Sequence, residues 1–309
     1  MQEFLTVQNV QSVAVFKEYK FYDNFNSFMQ ENDESFANTT LLNDKSKYYE
    51  DYTQFLSDNM YFKLWLKKYY NIEHVNKDSK IIGRISSNND EKKWFLLNEA
   101  AGLFTELAKV NPFSEKDLLN FIKNFGLPTG YNEIEIGTEI VKNSPPIMIQ
   151  FVNYSSLCNS ILYYKSLFEI FKYIVTEDID SILRRDKLLH SDFKKKNFYN
   201  SNDKLDILNS EKDYFYMQLN KQNILNFKFV RDFTDENESK VILHHENLID
   251  FAFFQMFKAL NNNSHFRICQ NCNEIFEVTH EKMRFCPPLP FRKRSSCEMA
   301  YRNKQRKNS

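Results

Sequence analysis

Four cysteines near the C-terminal end have the type and spacing to do chemistry. They run Cys269-Gln270-Asn271-Cys272, then Cys286, then Cys297, a C-x2-C-x13-C-x10-C pattern. Thiolate sulfur is a preferred ligand of Zn2+, and a structural zinc site takes four ligands in a tetrahedron. A CxxC pair sets two thiolates on one tight turn, and a distant pair closes the cage. The pattern predicts a structural zinc site held by Cys269, Cys272, Cys286 and Cys297, with no open position for catalysis. His265 and His280 are alternative ligands, each able to replace one cysteine. Two disulfides are the competing use of four cysteines, and they require an oxidising compartment. A redox CxxC belongs near a βαβ pattern, and none is visible here. The fifth cysteine, Cys158, stands in an apolar context and reads as a small buried hydrophobe.

The residues around the cysteines supply the parts of a finger. Asn273 follows the second cysteine, where a knuckle needs a residue tolerant of positive φ. Ile275, Phe276 and Val278 form a β-prone run, Thr279 to Lys282 a turn, and Met283-Arg284-Phe285 the expected second strand. Cys297 opens a final helix with Ser295 or Ser296 as its cap. Between the last two cysteines lies a stiff basic loop, Pro287-Pro288-Leu289-Pro290-Phe291-Arg292-Lys293-Arg294. Knuckle, hairpin and ligand-bearing helix make a treble-clef-like arrangement.

This segment resembles the C-terminal zinc finger of uncharacterised bacterial proteins and, more distantly, the CGNR zinc-finger family of transcription regulators. The resemblance rests on Cys269 and Cys272, Phe276 four residues on, Thr279, Arg284 before Cys286, and a basic helix headed by Cys297. It covers about the last 60 residues of the chain. The gap between the last two cysteines is longer here, and Cys297-Glu298-Met299-Ala300 stands where the family has its CGNR tetrapeptide. The resemblance implies bound zinc and a nucleic-acid partner. Asp117 to Leu127 also resembles a helix ending in Phe-Gly-Leu in such proteins.

These cysteines are positioned by a chain of 309 residues, 42% hydrophobic and 16% aromatic, enough for a sizeable aromatic-rich core. The expected fold class is α+β: a mainly helical body over 1–245, then an aromatic-rich helix, the finger and a basic helix over 246–309. Net charge is zero, but Lys282 to Ser309 holds nine Lys/Arg against one Glu, a net of +8, so the remainder carries −8. Such asymmetry points the basic end at an anionic partner or at the acidic body itself. The start, Met1 to Leu5, has no basic n-region. No run approaches 18 apolar residues. A cytoplasmic protein is expected, which agrees with reduced zinc-binding thiols. There is no GxGxxG or GxxxxGK[ST], and no glycine follows Gly137, so no nucleotide cofactor is expected.

Helical spacing of apolar residues is read over Tyr48 to Tyr70, Ile147 to Tyr173 and Glu246 to Leu260. Ser114 with Asp117 starts a helix that Gly126 ends. Val10 to Phe16 and Ile81-Ile82 are β-prone. Asp192 to Asp213 is expected as a linker, and Tyr214 to Val230 as a β-hairpin turning near Asn220 to Asn223.

Three further readings compete. Arg185 and His190 form an R-x4-H pair, which resembles the active motif of HEPN-type ribonucleases and would imply acid-base work on a phosphodiester. His244-His245-Glu246 with Asp250 has metal-ligand residue types without HExxH spacing, and reads first as a helix start. Arg292, Lys293, Arg294, Arg302, Lys304 and Arg306 can neutralise phosphates, with Phe291 or Tyr301 available to stack on a base. The last is the leading functional element. A protein-interaction or purely structural role for the finger is its rival.

Overall fold

A computed structural model describes residues 12–16, 18–32, 60–72, 79–86, 92–130, 132–136, 147–190, 203–220, 226–231 and 239–308. The fold is mixed helix and sheet. A four-stranded antiparallel sheet has the order β2 (Lys20–Tyr22), β3 (Ile81–Ser86), β6 (Ile147–Asn153) and β5 (Asn132–Ile136). β1 (Ser12–Phe16) pairs antiparallel with β4 (Lys92–Leu96), Ser12 opposite Leu96. β7 (Asn226–Arg231) pairs with β8 (Ser239–His244), and β9 (Phe266–Ile268) with β10 (Ile275–Glu277). The helices are α1 (Phe25–Asn32), α2 (Met60–Tyr70), α3 (Leu103–Lys109), α4 (Glu115–Phe125), α5 (Tyr154–Val175), α6 (Ile179–His190), α7 (Lys204–Asn220), α8 (Leu248–Asn261) and α9 (Ser296–Asn308).

The 22-residue α5 is the axis of the core. Leu157, Ile161, Leu162, Tyr163, Tyr164, Leu167, Ile170 and Phe171 are fully buried, a distribution around the whole helix rather than along one stripe. α3, α5 and α8 pack against one another, and Phe253 of α8 sits against Tyr164 of α5 at 5.0 Å between ring centres. Local chemistry sets the helix starts. The side chains of Asn153, Ser114 and Asn247 accept from the backbone N–H groups of Ser156, Asp117 and Asp250. Gly126, at φ +92°, ends α4 as its spacing predicts.

Four expectations are corrected. Ile147 to Tyr173 is not one helix: residues 147–153 are the inner strand β6, flanked by β3 and β5, and the helix begins after the Asn153 cap. Tyr214 to Val230 is not a hairpin. Leu208, Glu211, Phe215 and Leu219 recur at helical spacing on the buried face of α7, and β7 pairs instead with β8. The linker expected over Asp192 to Asp213 is helical from Lys204, and residues 191–202 lie outside the described residues. Met283-Arg284-Phe285 is not the second strand of the finger, because β10 pairs with β9, before the first cysteine. The expected helix over Tyr48 to Tyr70 is described from Met60 onward.

Candidate metal centre

The finger begins where α8 ends. β9 leads into Cys269, and Cys269 to Asn273 makes a tight knuckle. The Asn273 N–H donates to the Cys269 carbonyl (3.0 Å), and the Cys269 N–H donates to the Glu274 carbonyl (2.8 Å). Asn273 has φ +59°, as expected of the residue after the second cysteine. The chain before Cys286 is tied down without a strand: the Gln270 N–H donates to the Arg284 carbonyl (3.1 Å), and the Arg267 guanidinium donates to the carbonyls of Glu281 (2.5 Å) and Met283 (3.1 Å). Cys297 lies in the first turn of α9, whose start is capped by Ser295 Oγ accepting from the Glu298 N–H (3.4 Å).

These pieces bring the four cysteines together. The Sγ atoms of Cys269, Cys272, Cys286 and Cys297 all lie within 4.8 Å of one another. Cys272 and Cys286 are 3.5 Å apart, far beyond a disulfide bond of about 2.05 Å. Tetrahedral bonds of about 2.3 Å from metal to sulfur place the sulfurs about 3.8 Å apart, so the cage has the dimensions a metal ion needs. Cys269 and Cys286 are buried against Phe276, and Cys272 and Cys297 are half-buried. Among the described residues this is the only group of at least three His, Cys, Asp or Glu that could hold a metal ion. His265 and His280 are exposed and outside it.

Held this close, the sulfurs compete for protons. Hydrogen-bonding contacts with the sulfurs of Cys286 and Cys297 hold the pKa of Cys272 well below the ordinary thiol range. The same contact with Cys272 raises that of Cys286 and pushes Cys297 up to about 11. The later protons leave against the charge of the first thiolate, and a cation among the sulfurs removes that opposition.

One residue of the site carries no signal in the sequence. Lys109, the last residue of α3, donates from Nζ to Cys286 Sγ at 3.3 Å and to Glu106 Oε1 at 2.6 Å. Burial works to lower its pKa, but the Glu106 carboxylate and the negative charge shared by the cysteine cluster outweigh it and raise the pKa. Lys109 lies 177 residues from its sulfur partner, a separation no local spacing rule spans.

The finger is seated on the body at several points. Ile275 belongs to the main core, the half-buried Leu289 packs against it, and Phe266 meets Phe171 edge to face at 5.4 Å. Lys172 pairs with Glu274 at 3.1 Å. The loop between the last two cysteines is only partly exposed: Pro290 is buried, Leu289 half-buried, Pro287 rests over Gly102, and Pro288 and Phe291 to Arg294 are exposed. The six basic residues read as phosphate-contacting, Arg292, Lys293, Arg294, Arg302, Lys304 and Arg306, are all exposed. Arg302 pairs with Glu298 at 2.5 Å.

The other candidates are placed differently. Arg185 is buried in α6, paired with the fully buried Glu211 and stacked 5.0 Å from the Tyr214 ring. Its guanidinium faces the interior, and five residues of helix set His190 about 140° around the axis from it. The side chain of His190 lies outside the described residues, as does that of His244. His245 is buried between the rings of Phe251 and Phe254. Asp250, in the first turn of α8, is pushed up to about 7 by burial and by Glu246. Cys158 is fully buried and donates to the Pro112 carbonyl at 3.2 Å.

Models of protein families, curated proteins and solved structures yield no match to this chain. Four cysteines that can hold a metal ion are therefore the functional feature on which the reading rests. Among the described residues no helix is long and apolar enough to cross a membrane.

Proposed function

We propose that the chain is a cytoplasmic zinc protein whose metal centre holds a basic, treble-clef-like finger on the body, and that the finger binds nucleic acid. Zinc is the metal that four thiolates in a closed tetrahedral cage select best in a reducing compartment. Such a site is structural, because every ligand position is taken by the protein. The resemblance of Cys269, Cys272, Phe276, Thr279, Arg284 and the helix headed by Cys297 to CGNR-type fingers supports the same assignment. The observation that carries the nucleic-acid reading is the exposure of Arg292, Lys293, Arg294, Arg302, Lys304 and Arg306 on one loop and the helix that follows it. Phosphate contacts of this kind give affinity that falls with salt and carry no sequence information themselves.

A second reading is favoured by the seating of Ile275, Leu289 and Phe266 on the body. In it the finger is a structural cap or a protein-binding surface with no nucleic acid. Charge reversal at three exposed positions, Arg292→Glu, Lys293→Glu and Arg294→Glu together, separates the two. The first reading expects salt-sensitive binding of labelled oligonucleotides by the zinc-loaded protein and its loss in the triple variant. Unchanged affinity in that variant, or no binding by the parent at low salt, leaves the structural reading.

A further inference from the structure

We propose that the turn Leu289–Arg292 presents Phe291 as a stacking platform for an unpaired base, so that the finger's ligand is a single-stranded nucleic acid; this rests on the nucleic-acid reading above. The Arg292 N–H donates to the Leu289 carbonyl at 3.1 Å and closes a four-residue turn. Pro290 takes its second position and Phe291 its third, with φ +66°. That is the arrangement of a type II turn, whose third position ordinarily holds glycine. Of the five non-glycine residues at positive φ among the described residues, three are Asn, which tolerates the conformation, and Phe291 is the bulkiest. A bulky side chain kept in a sparsely populated conformation by its surroundings is a mark of functional sites.

The ring is fixed and still open. It meets Phe95 edge to face at 5.7 Å and 85°, and Lys93 Nζ lies 5.4 Å from its centre. The residue nevertheless leaves 47% of its surface exposed. Three exposed cations follow it directly, and the exposed Lys93 extends the positive surface onto β4. Tyr301, the other candidate for stacking, is half-buried against Phe285 at 5.3 Å. An aromatic ring beside a row of cations matches a strand with free base faces and a phosphate backbone. A duplex has its base faces stacked inside.

The test is fluorescence anisotropy of labelled oligo-dT, oligo-U and a hairpin duplex of matched length, titrated with zinc-loaded full-length protein. Parent, Phe291→Leu and Phe291→Tyr are compared, with thermal melting as the check on folding. Leucine keeps an apolar anchor but has no π face, and tyrosine keeps both. The parent should bind a single strand more tightly than the duplex. Phe291→Leu should weaken single-strand binding roughly tenfold and Phe291→Tyr by less than about twofold, with duplex binding unmoved in both. Oligo-dT and oligo-U share the stacking chemistry, and the tighter of the two names the source. If Phe291→Leu binds single strands like the parent, or loses single strand and duplex alike, the platform is overturned while the nucleic-acid reading stands. If the parent binds none of the three at low salt, that reading is overturned and the platform with it.

Discussion

Cys158 and Cys269 are both fully buried, in opposite kinds of interior. Cys158 sits on α5 among large apolar side chains, as a neutral thiol that donates to a carbonyl. Cys269 sits among three other cysteines, with Phe276 as the only other fully enclosed side chain of its cluster. The first interior is held by apolar burial over many residues, each large side chain worth about 1.5–3 kcal/mol. The second is too small for that means, and small domains in this position use metal or disulfide staples instead. One chain therefore contains a region that needs no ion and a region whose four cysteines could hold one.

Removing one sulfur from each interior breaks that comparison most sharply. Cys286→Ser should lose the bound metal. It should also lose amide protection over residues 266–308, at a cost of at least about 3 kcal/mol, a fraction of the roughly 10 kcal/mol of structural zinc binding. Protection along α5 should persist. Cys158→Ala should leave metal content unchanged. Metal analysis and hydrogen exchange read both variants, and a Cys286→Ser protein with its metal intact would end the four-thiolate assignment.

The seam between the two regions can be strained without touching a ligand. Gly102, the residue before α3, has an ordinary φ of −101°, so alanine is compatible with its backbone. A Cβ there would fall 2.6 Å from Pro287 Cγ, on a ring that cannot turn away. Gly102→Ala should lower stability by about 1–3 kcal/mol through overpacking, with metal still bound. Adding Pro287→Ala should restore most of the loss. A melting temperature equal to the parent's in Gly102→Ala would mean that the loop does not press on α3.

The two regions were also unequally legible in the sequence. The cysteine pattern, the positive φ of Asn273, the Ser114 cap and the Gly126 stop are local rules, and all four hold. The errors fall where local rules conflict. Residues 147–153 are an apolar run that suits either a buried strand or a helix, and pairing with β3 and β5 decides for the strand. Phe215, Met217 and Leu219 alternate like a strand, but Leu208, Glu211 and Phe215 set the helical face that is buried. The strand expected at 283–285 fails because β10 finds its partner upstream of the knuckle, in β9. Lys109 was invisible because its role arises only when α3 and the finger meet.

Lys109 offers the smallest and most specific test of how the two interiors are joined. Its ammonium gives the thiolate cage a hydrogen bond from the body, at 3.3 Å to Cys286. Four thiolates around a divalent cation carry a formal charge of −2, and a cationic donor offsets part of it, as the outer partners of metal ligands do. Lys109→Met keeps most of the stem and removes the charge. It should cost about 1.5 kcal/mol, the low end for a hydrogen bond to a charged group. It should also speed metal loss to a chromophoric chelator severalfold, while Lys109→Arg, which keeps a cation, should fall between it and the parent. The metal should remain at full occupancy before the chelator is added, because no ligand has changed. Equal release rates in all three proteins would show that Lys109 serves only its ion pair with Glu106, and that the two interiors touch without sharing charge.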